Sequence, residues 1–260
     1  MSRDAGEVYR TLIDRHGRTF ADEMGITLTS SDPAALFQLL VGSSLMSARI
    51  STDLALSAAR ALFDHGMTSA QAMADATWQE RVDALVEGGY RRYDESTASY
   101  LGDTAHLLLG RYDGDLRQLR EEAERDVGRE RTLLKECKGI GDVGVDIFVR
   151  EVQAVWRELR PFADDKALGA ARRLGLGTDA SGLADLAGDH DLSLVAAALI
   201  RADLDDDYDA VRSGDADEST VVELRRLTRD ELYARAQQRR IDGRSQMTKD
   251  ELIAALAQPG

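Results

Sequence analysis

The chain predicts an all-α fold, on three observations. Apolar residues recur at helical spacing through most of the 260 residues. Strand-like alternation never runs beyond four residues. Three prolines and 5% aromatics suit helices better than a barrel or sandwich. The length fits one large domain, or one domain plus a small module, and a 43% apolar fraction can fill a real core.

The elements follow in order. Val8, Leu12 and Ile13 start a helix in the first twenty residues. Ser31-Asp32-Pro33 opens the next one: a short polar side chain accepts from the free N–H groups, and proline lacks an N–H that the first turn leaves unpaired anyway. Leu36, Leu39, Leu40 and Val41 give it an apolar face. Leu54, Ala58, Ala61 and Leu62 predict a further helix ending at His65-Gly66. Thr68 and Thr77 are expected caps of two short helices, the second carrying Val82, Leu85 and Val86 and stopping at Gly88-Gly89. Ser96 to Leu109 is expected to be helical and to close at Gly110. Residues 205–218 are acidic and short of apolar anchors, which predicts a linker or a frayed connection. A compact unit follows, with Leu224, Leu227, Leu232, Ile241, Met247, Leu252 and Ile253 as its apolar positions. No internal repeat is present.

The net charge is −14. Residues 219–258 hold eight Lys/Arg and six Asp/Glu, so they carry +2 and the rest −16. Acid concentrates in Asp203 to Asp209 and in Asp215 to Glu218. Such a body repels nucleic acid in bulk, although binding depends on where the charge sits. Cys137 is the one cysteine, which excludes an internal disulfide framework and a four-thiolate zinc or iron–sulfur site; it is expected to be a buried small hydrophobe. The four histidines show no metal spacing, so no metal is assigned. No stretch reaches the ~18 apolar residues of a membrane span, and the N-terminus lacks an apolar signal run. The expectation is a cytoplasmic protein, nucleoid-associated if prokaryotic, with no membrane partner.

The most informative segment runs from Leu133 to Phe148. An apolar helix ends at Cys137, a tight Gly139-Ile140-Gly141 turn follows, and Val145, Phe148, Val152 and Val155 resume helical spacing. Two glycines around one apolar residue let the chain reverse while the isoleucine packs inward. The free N–H groups of the next helix then form an anion site, for which a nucleic-acid phosphate is the obvious anion. A plain helix–helix connection with a glycine stop uses the same residues.

Three segments, which follow one another along the chain in the family's order, resemble the helix-hairpin-helix DNA glycosylase superfamily, which includes endonuclease III-like enzymes. The hairpin Leu134-Lys135-Glu136-Cys137-Lys138-Gly139-Ile140-Gly141 is one. Pro161 to Leu168, followed by Ala171-Arg172-Arg173-Leu174-Gly175-Leu176, is similar to the family's aspartate segment. Leu39 to Arg49 is similar to an early helix ending in Ser-Ala-Gln. The resemblance covers residues 30–176. It implies a two-lobed fold with a DNA cleft between a central helical lobe and a lobe built from both ends of the core.

The resemblance also implies chemistry. The target base is flipped out of the stack, and a carboxylate stabilises the charge developing on the sugar and orients water. Carried over, that carboxylate is Asp164, with Asp165 its rival by one register step; a helix N-cap is the other role open to Asp164. Gly139, Ile140, Gly141 and Val143 are expected to contact phosphate. Relatives that also cut the backbone carry a lysine where this chain has Val143, so the resemblance implies a monofunctional, water-using glycosylase. Lys135, Lys138 and Lys166 are the nearest substitutes. The iron–sulfur loop of many relatives is missing. Arg49 matches the position that enters the gap left by a flipped base, and is equally a surface arginine near a helix end. Tyr90 and Arg91, in the Tyr90–Tyr93 cluster, suit a base pocket or strand contact, or simple capping and packing. Trp156 is expected in the core.

Two Thr-x-x-Glu capping boxes, at Thr228 and Thr248, open the helices of the last unit. Residues 221–257 resemble the small module at the N-terminus of the Rho terminator, related to SAP-type modules. The resemblance implies nucleic-acid contacts by Arg239, Arg240, Arg244 and Lys249; protein docking is the competing role. The expected organisation is a glycosylase-like core over 1–205, an acidic linker over 206–218 and the module over 219–258. The expected function is base-excision repair on double-stranded DNA, by a monomer without a cofactor. The alternatives are a non-catalytic DNA-binding protein of the same fold and a lyase using a displaced lysine.

Overall fold

A computed structural model of the chain describes residues 4–188, 190–214, 224, 227–239, 241 and 243–257. Among these residues there is no strand. The helices are α1 (Ala5–His16), α2 (Phe20–Glu23), α3 (Pro33–Met46), α4 (Thr52–Asp64), α5 (Ala70–Asp75), α6 (Trp78–Glu87), α7 (Asp94–Tyr112), α8 (Leu116–Glu122), α9 (Val127–Leu134), α10 (Asp142–Val152), α11 (Asp165–Leu174), α12 (Ala180–Ala187), α13 (Leu192–Leu204), α14 (Tyr208–Ser213), α15 (Arg229–Gln238) and α16 (Lys249–Ala257). The all-α expectation therefore stands.

Caps account for most boundaries. Asp32 Oδ1 accepts from the Ala34 and Ala35 N–H groups at 3.0 Å, with Pro33 in the first turn of α3. Thr77 and Glu80 close a reciprocal box on α6. Ser69, rather than the expected Thr68, caps α5, accepting from the Ala72 N–H at 3.1 Å. Helix α7 does not stop at Gly110. It continues to the buried Tyr112 and ends where Asp113 turns left-handed, at φ 50°. A mid-helix glycine costs about 1 kcal/mol, which burial of a tyrosine ring outweighs.

The chain divides into two compact units, with the division falling inside α13. One holds Arg18–Asp164 and Asp189–Ala197; the other holds Met1–Gly17, Asp165–Gly188 and Ala198–Gly260. In the first, α3 is the central helix, with Leu36, Phe37, Leu39, Leu40, Val41 and Leu45 all buried. Removing each such side chain from water contributes roughly 1.5–3 kcal/mol. Trp156 is fully buried, as expected, its ring edge-on to Phe148 at 5.7 Å. Arg81 is buried too, because its guanidinium donates to the Met73, Ala76 and Ala98 carbonyls. A buried charge is tolerable when several acceptors replace water.

In the other unit the acidic stretch departs from the expected linker. Residues 208–213 form α14, with Tyr208 and Val211 buried. Asp207 accepts from Arg15 at 2.7 and 2.9 Å and lies 2.8 Å from His16 Nε2. Tyr208 donates to Asp203 at 2.6 Å, and the Arg173 guanidinium covers its ring at 3.6 Å. The acid run thus serves basic partners from α1 and the phenol of its own Tyr208, whose ring Arg173 of α11 covers. Residues 215–218 of the expected linker lie outside the described residues.

Helices α15 and α16 pack through Leu232, Ala236, Leu252, Ile253 and Leu256, with Leu224 beside them. Thr228 pairs with Glu231, and Thr248 with Glu251, as capping boxes.

Candidate nucleic-acid interface

The hairpin is built from α9, a turn and α10. Asp126 caps α9, accepting from the Arg129 N–H at 2.8 Å. Helix α9 ends at Leu134, earlier than the expected Cys137, and an irregular turn continues. Leu134, Cys137 and Ile140 are buried, so the turn is anchored by three apolar side chains while Lys138 and Gly139 stay exposed. Burial pushes the Cys137 thiol up to about 12. Gly139 has φ +79°, and a Cβ there would lie 3.0 Å from Tyr100 Cδ2. Glycine is required twice over: for the left-handed backbone and for the close approach of a ring. Thr104 of α7 donates to the Lys138 carbonyl at 3.4 Å, tying the same helix to the turn.

Gly141 begins α10 in an extended conformation, without a side-chain cap, and a Cβ on it would meet nothing within 4 Å. The first N–H groups of α10 therefore open onto clear space. Val143, in that first turn, is 60% exposed, high for a valine. Asp142 pairs with Lys135 Nζ at 2.9 Å, and the lysine holds its carboxyl below the usual range.

Beside the turn lies a cavity of about 450 Å³ within the same unit, a size typical of small-ligand sites. The end of α3 and the bend after it contribute Ser44, Ser47, Ala48 and Arg49; the hairpin contributes Gly139. The remaining wall is Tyr90, Tyr93, Ser96, Thr97 and Tyr100. Helix α10 reaches the α3 end closely, because a Cβ on Gly144 would stand 3.5 Å from Ser47. Tyr90 is buried, and desolvation raises its phenol further above neutral pH, with Thr97 Oγ1 donating to it at 3.2 Å. Ser47 donates to the Ser44 carbonyl at 2.7 Å and Ser96 to the Tyr93 carbonyl at 3.1 Å. Arg92 covers the Tyr93 ring at 5.3 Å. Among the described residues no carboxylate lines the cavity. Among the described residues no hydrogen bond or ion pair engages the Arg49 guanidinium, and Arg49 is exposed.

Of the residues expected to act on a base, Arg49 and Tyr90 share this cavity with Gly139 of the hairpin; Arg91 is exposed and outside the lining. Sequence reasoning missed Tyr100, Ser96 and Thr97 as wall residues. The signal was there: Tyr93, Ser96, Thr97, Tyr100 and Thr104 are hydroxyl-bearing and spaced for one helical face.

Asp164 lies elsewhere in the same unit. Its Oδ2 accepts from Arg150 Nη1 at 2.5 Å, and the two side chains are only 9% and 5% exposed. Arg150 also lies 3.8 Å from Glu151 Oε1. Glu151 is fully buried, and desolvation pushes its carboxyl up to about 7 although it accepts from the Ala21 N–H at 3.0 Å. Gln153 donates to the Phe162 carbonyl at 2.8 Å and accepts from the Phe162 N–H at 3.0 Å, fixing the loop before Asp164. Asp165 is exposed at the start of α11. Of the substitute lysines, Lys135 is paired with Asp142, Lys138 is exposed, and Lys166 stands 3.7 Å from Asp203.

In the last unit Arg239 donates to the Leu256 carbonyl at 2.9 Å and Arg244 to the Ile241 carbonyl at 2.8 Å. Each spends part of its guanidinium on holding the unit together. Lys249 is exposed, and Arg240 lies outside the described residues. Among the described residues no group of His, Cys, Asp and Glu could hold a metal ion, and no helix is long and apolar enough to cross a membrane.

No protein-family model matches the sequence. No curated protein matches it. Among solved structures, the chain is similar to an endonuclease III trapped as a covalent intermediate with DNA, in an estranged-adenine complex: 16% identity, 64% of this chain and 73% of that chain covered, TM-score 0.42.

Proposed function

We propose that the protein binds double-stranded DNA at positions where a base has left the stack, in base-excision repair. One observation carries this reading: Arg49, Tyr90 and the hairpin glycine Gly139 line a single cavity. A hairpin that docks a phosphate beside a cavity able to take a planar ring matches what such a position presents, a phosphate and a base left without its partner. The order of three resembling segments along residues 30–176 supports the same reading. On it, the protein works as a cytoplasmic, cofactor-free monomer, and a lone Cys137 fits the lack of an iron–sulfur cluster.

Hydrolysis of the glycosidic bond is the finer part of the proposal and rests on Asp164 with water. The Arg150 ion pair favours a second reading, a DNA-binding protein without catalysis, because a carboxylate neutralised by a buried guanidinium stabilises a sugar cation less.

The test is binding and base release together. Fluorescence anisotropy at low salt compares an intact duplex with one holding an abasic analogue. The wild type is expected to prefer the abasic duplex. Val143→Glu, a change at an exposed position that puts negative charge at the docking turn, is expected to weaken both. Equal affinity for the two duplexes would sink the reading. Base release from damaged and mismatched duplexes, lost in Asp164→Asn, supports the glycosylase. Tight binding with no release supports the non-catalytic form.

A further inference from the structure

The cavity beside the hairpin has a chemical bias that narrows its occupant. Among the described residues its one charged lining residue is Arg49, and the other polar side chains are neutral hydroxyls. Its guanidinium has no acidic partner among the described residues although the chain has 47 Asp and Glu against 33 Lys and Arg, and it is the guanidinium that lines this cavity. Its donors are left for a ligand. Two parallel N–H groups ask for two neighbouring acceptors, and a bare cation disfavours a ring that is itself positive, as many alkylated bases are.

Guanine offers O6 and N7 side by side, and arginine on that edge is the commonest base-specific contact. Adenine puts a donor beside N7. Thymine has no two adjacent acceptors. Cytosine, once unpaired, offers N3 and O2, but its single ring gives less stacking surface. The aromatic wall decides between these two. Tyr100 is 43% exposed, and its ring lies against the hairpin glycine, so it is held from behind while part of it stays open. Tyr93 lines the same cavity and is backed by Arg92. Base–tyrosine stacking rewards the larger purine ring.

We propose that this cavity is a guanine site: Arg49 reads the O6/N7 edge of an unpaired guanine whose ring stacks on Tyr100. The proposal rests on the reading that the protein engages DNA with a displaced base, and it names which base stands in the cavity opposite the gap.

The experiment uses the full chain and four duplexes in which dG, dA, dC or dT faces a tetrahydrofuran abasic analogue, with an intact duplex as reference. The expected result is that the dG duplex binds at least about tenfold more tightly than the other three. Arg49→Met keeps the stem and removes the charge; it is expected to level the four while leaving all of them tighter than the intact duplex. Inosine, which keeps O6 and N7, is expected to behave as guanine, whereas 7-deazaguanine loses the preference. Tyr100→Leu is expected to weaken the dG duplex at least fivefold, and Tyr100→Phe to leave it unchanged. Equal binding of the four bases by the wild type, a cytosine preference, or a guanine preference that survives Arg49→Met overturns the proposal. Should the intact duplex bind as well as the gapped ones, the underlying reading fails instead, and the two failures are told apart by that reference alone.

Discussion

Arg150 donates to Asp164 at 2.5 Å, inside a unit where both side chains are almost wholly withdrawn from water. The pair couples a candidate catalytic carboxylate to the fold itself. Removing one member leaves a buried charge uncompensated, a loss of about 3–5 kcal/mol. Asp164→Asn is therefore expected to lower stability by about 3 kcal/mol. Below about pH 7, where the Glu151 carboxyl beside Arg150 keeps its proton, Arg150→Met combined with Asp164→Leu is expected to lose less than either single change, because apolar groups replace the pair without stranding a charge. Urea denaturation of the three variants checks this, and a double variant weaker than both singles would refute it. Base-release data for Asp164→Asn need that comparison alongside them.

Glu151 sets a pH dependence. Burial raises its carboxyl from 4.5 to about 7 in the folded chain. Between those values the folded chain keeps a proton that the unfolded chain has released. Stability from this group is full below about 4.5, falls as pH rises, and is lost above about 7. Glu130, raised to about 8 by burial and by neighbouring Glu158, extends the decline. The wild-type Tm is expected to drop from pH 5 to 8, with a shallower drop in Glu151→Gln. Parallel Tm profiles for the two proteins would contradict the assignment.

The two hairpin glycines are expected to separate stability from binding. Gly139→Ala places a Cβ on a left-handed residue, about 1–2 kcal/mol unfavourable, and presses it on Tyr100. Gly141→Ala meets open space at φ −101° and is expected to change stability by less than about 0.5 kcal/mol. Its added methyl stands where a phosphate would approach, so its DNA affinity is expected to fall. Chemical denaturation and anisotropy on both variants read the two effects; a stable Gly141→Ala with wild-type affinity would remove Gly141 from the interface.

In the last unit Thr228→Ala removes the side chain that accepts from the Glu231 N–H at 3.3 Å. The expected cost is about 1 kcal/mol. Hydrogen exchange should show faster amides in α15, while the α7 amides keep their rates. Uniform acceleration across the chain would mean that the two regions unfold together.

Much of the fold was legible because local chemistry wrote it. Asp32-Pro33, Thr77 and Glu80, and the paired Thr228 and Glu231 each announce a helix start. Gly139-Ile140-Gly141 announces a reversal. What stayed hidden depended on distant partners. Helix α14 forms in an acidic run because Arg15, His16 and Arg173 neutralise or cover it, and those residues are far away in sequence. Helix α7 outruns Gly110 because Tyr112 has a buried place waiting. The site divided in the same way. Arg49 and Tyr90 were visible as residue types near glycines and helix ends. Tyr100 could be placed on a hydroxyl-bearing helical face, but its part in the site shows only when a hairpin glycine packs against it. Nor did the sequence reveal that Asp164, in the loop before α11, has Arg150 of α10 for a partner, fourteen positions earlier.

The burial of Cys137 has a practical side. A thiol with its pKa near 12 presents almost no thiolate at neutral pH, and its sulfur is shut away from reagents. The native chain is thus a quiet background for maleimide chemistry. A cysteine placed at exposed Val143 would take a fluorophore or spin label alone, turning the hairpin into its own reporter of whatever docks there.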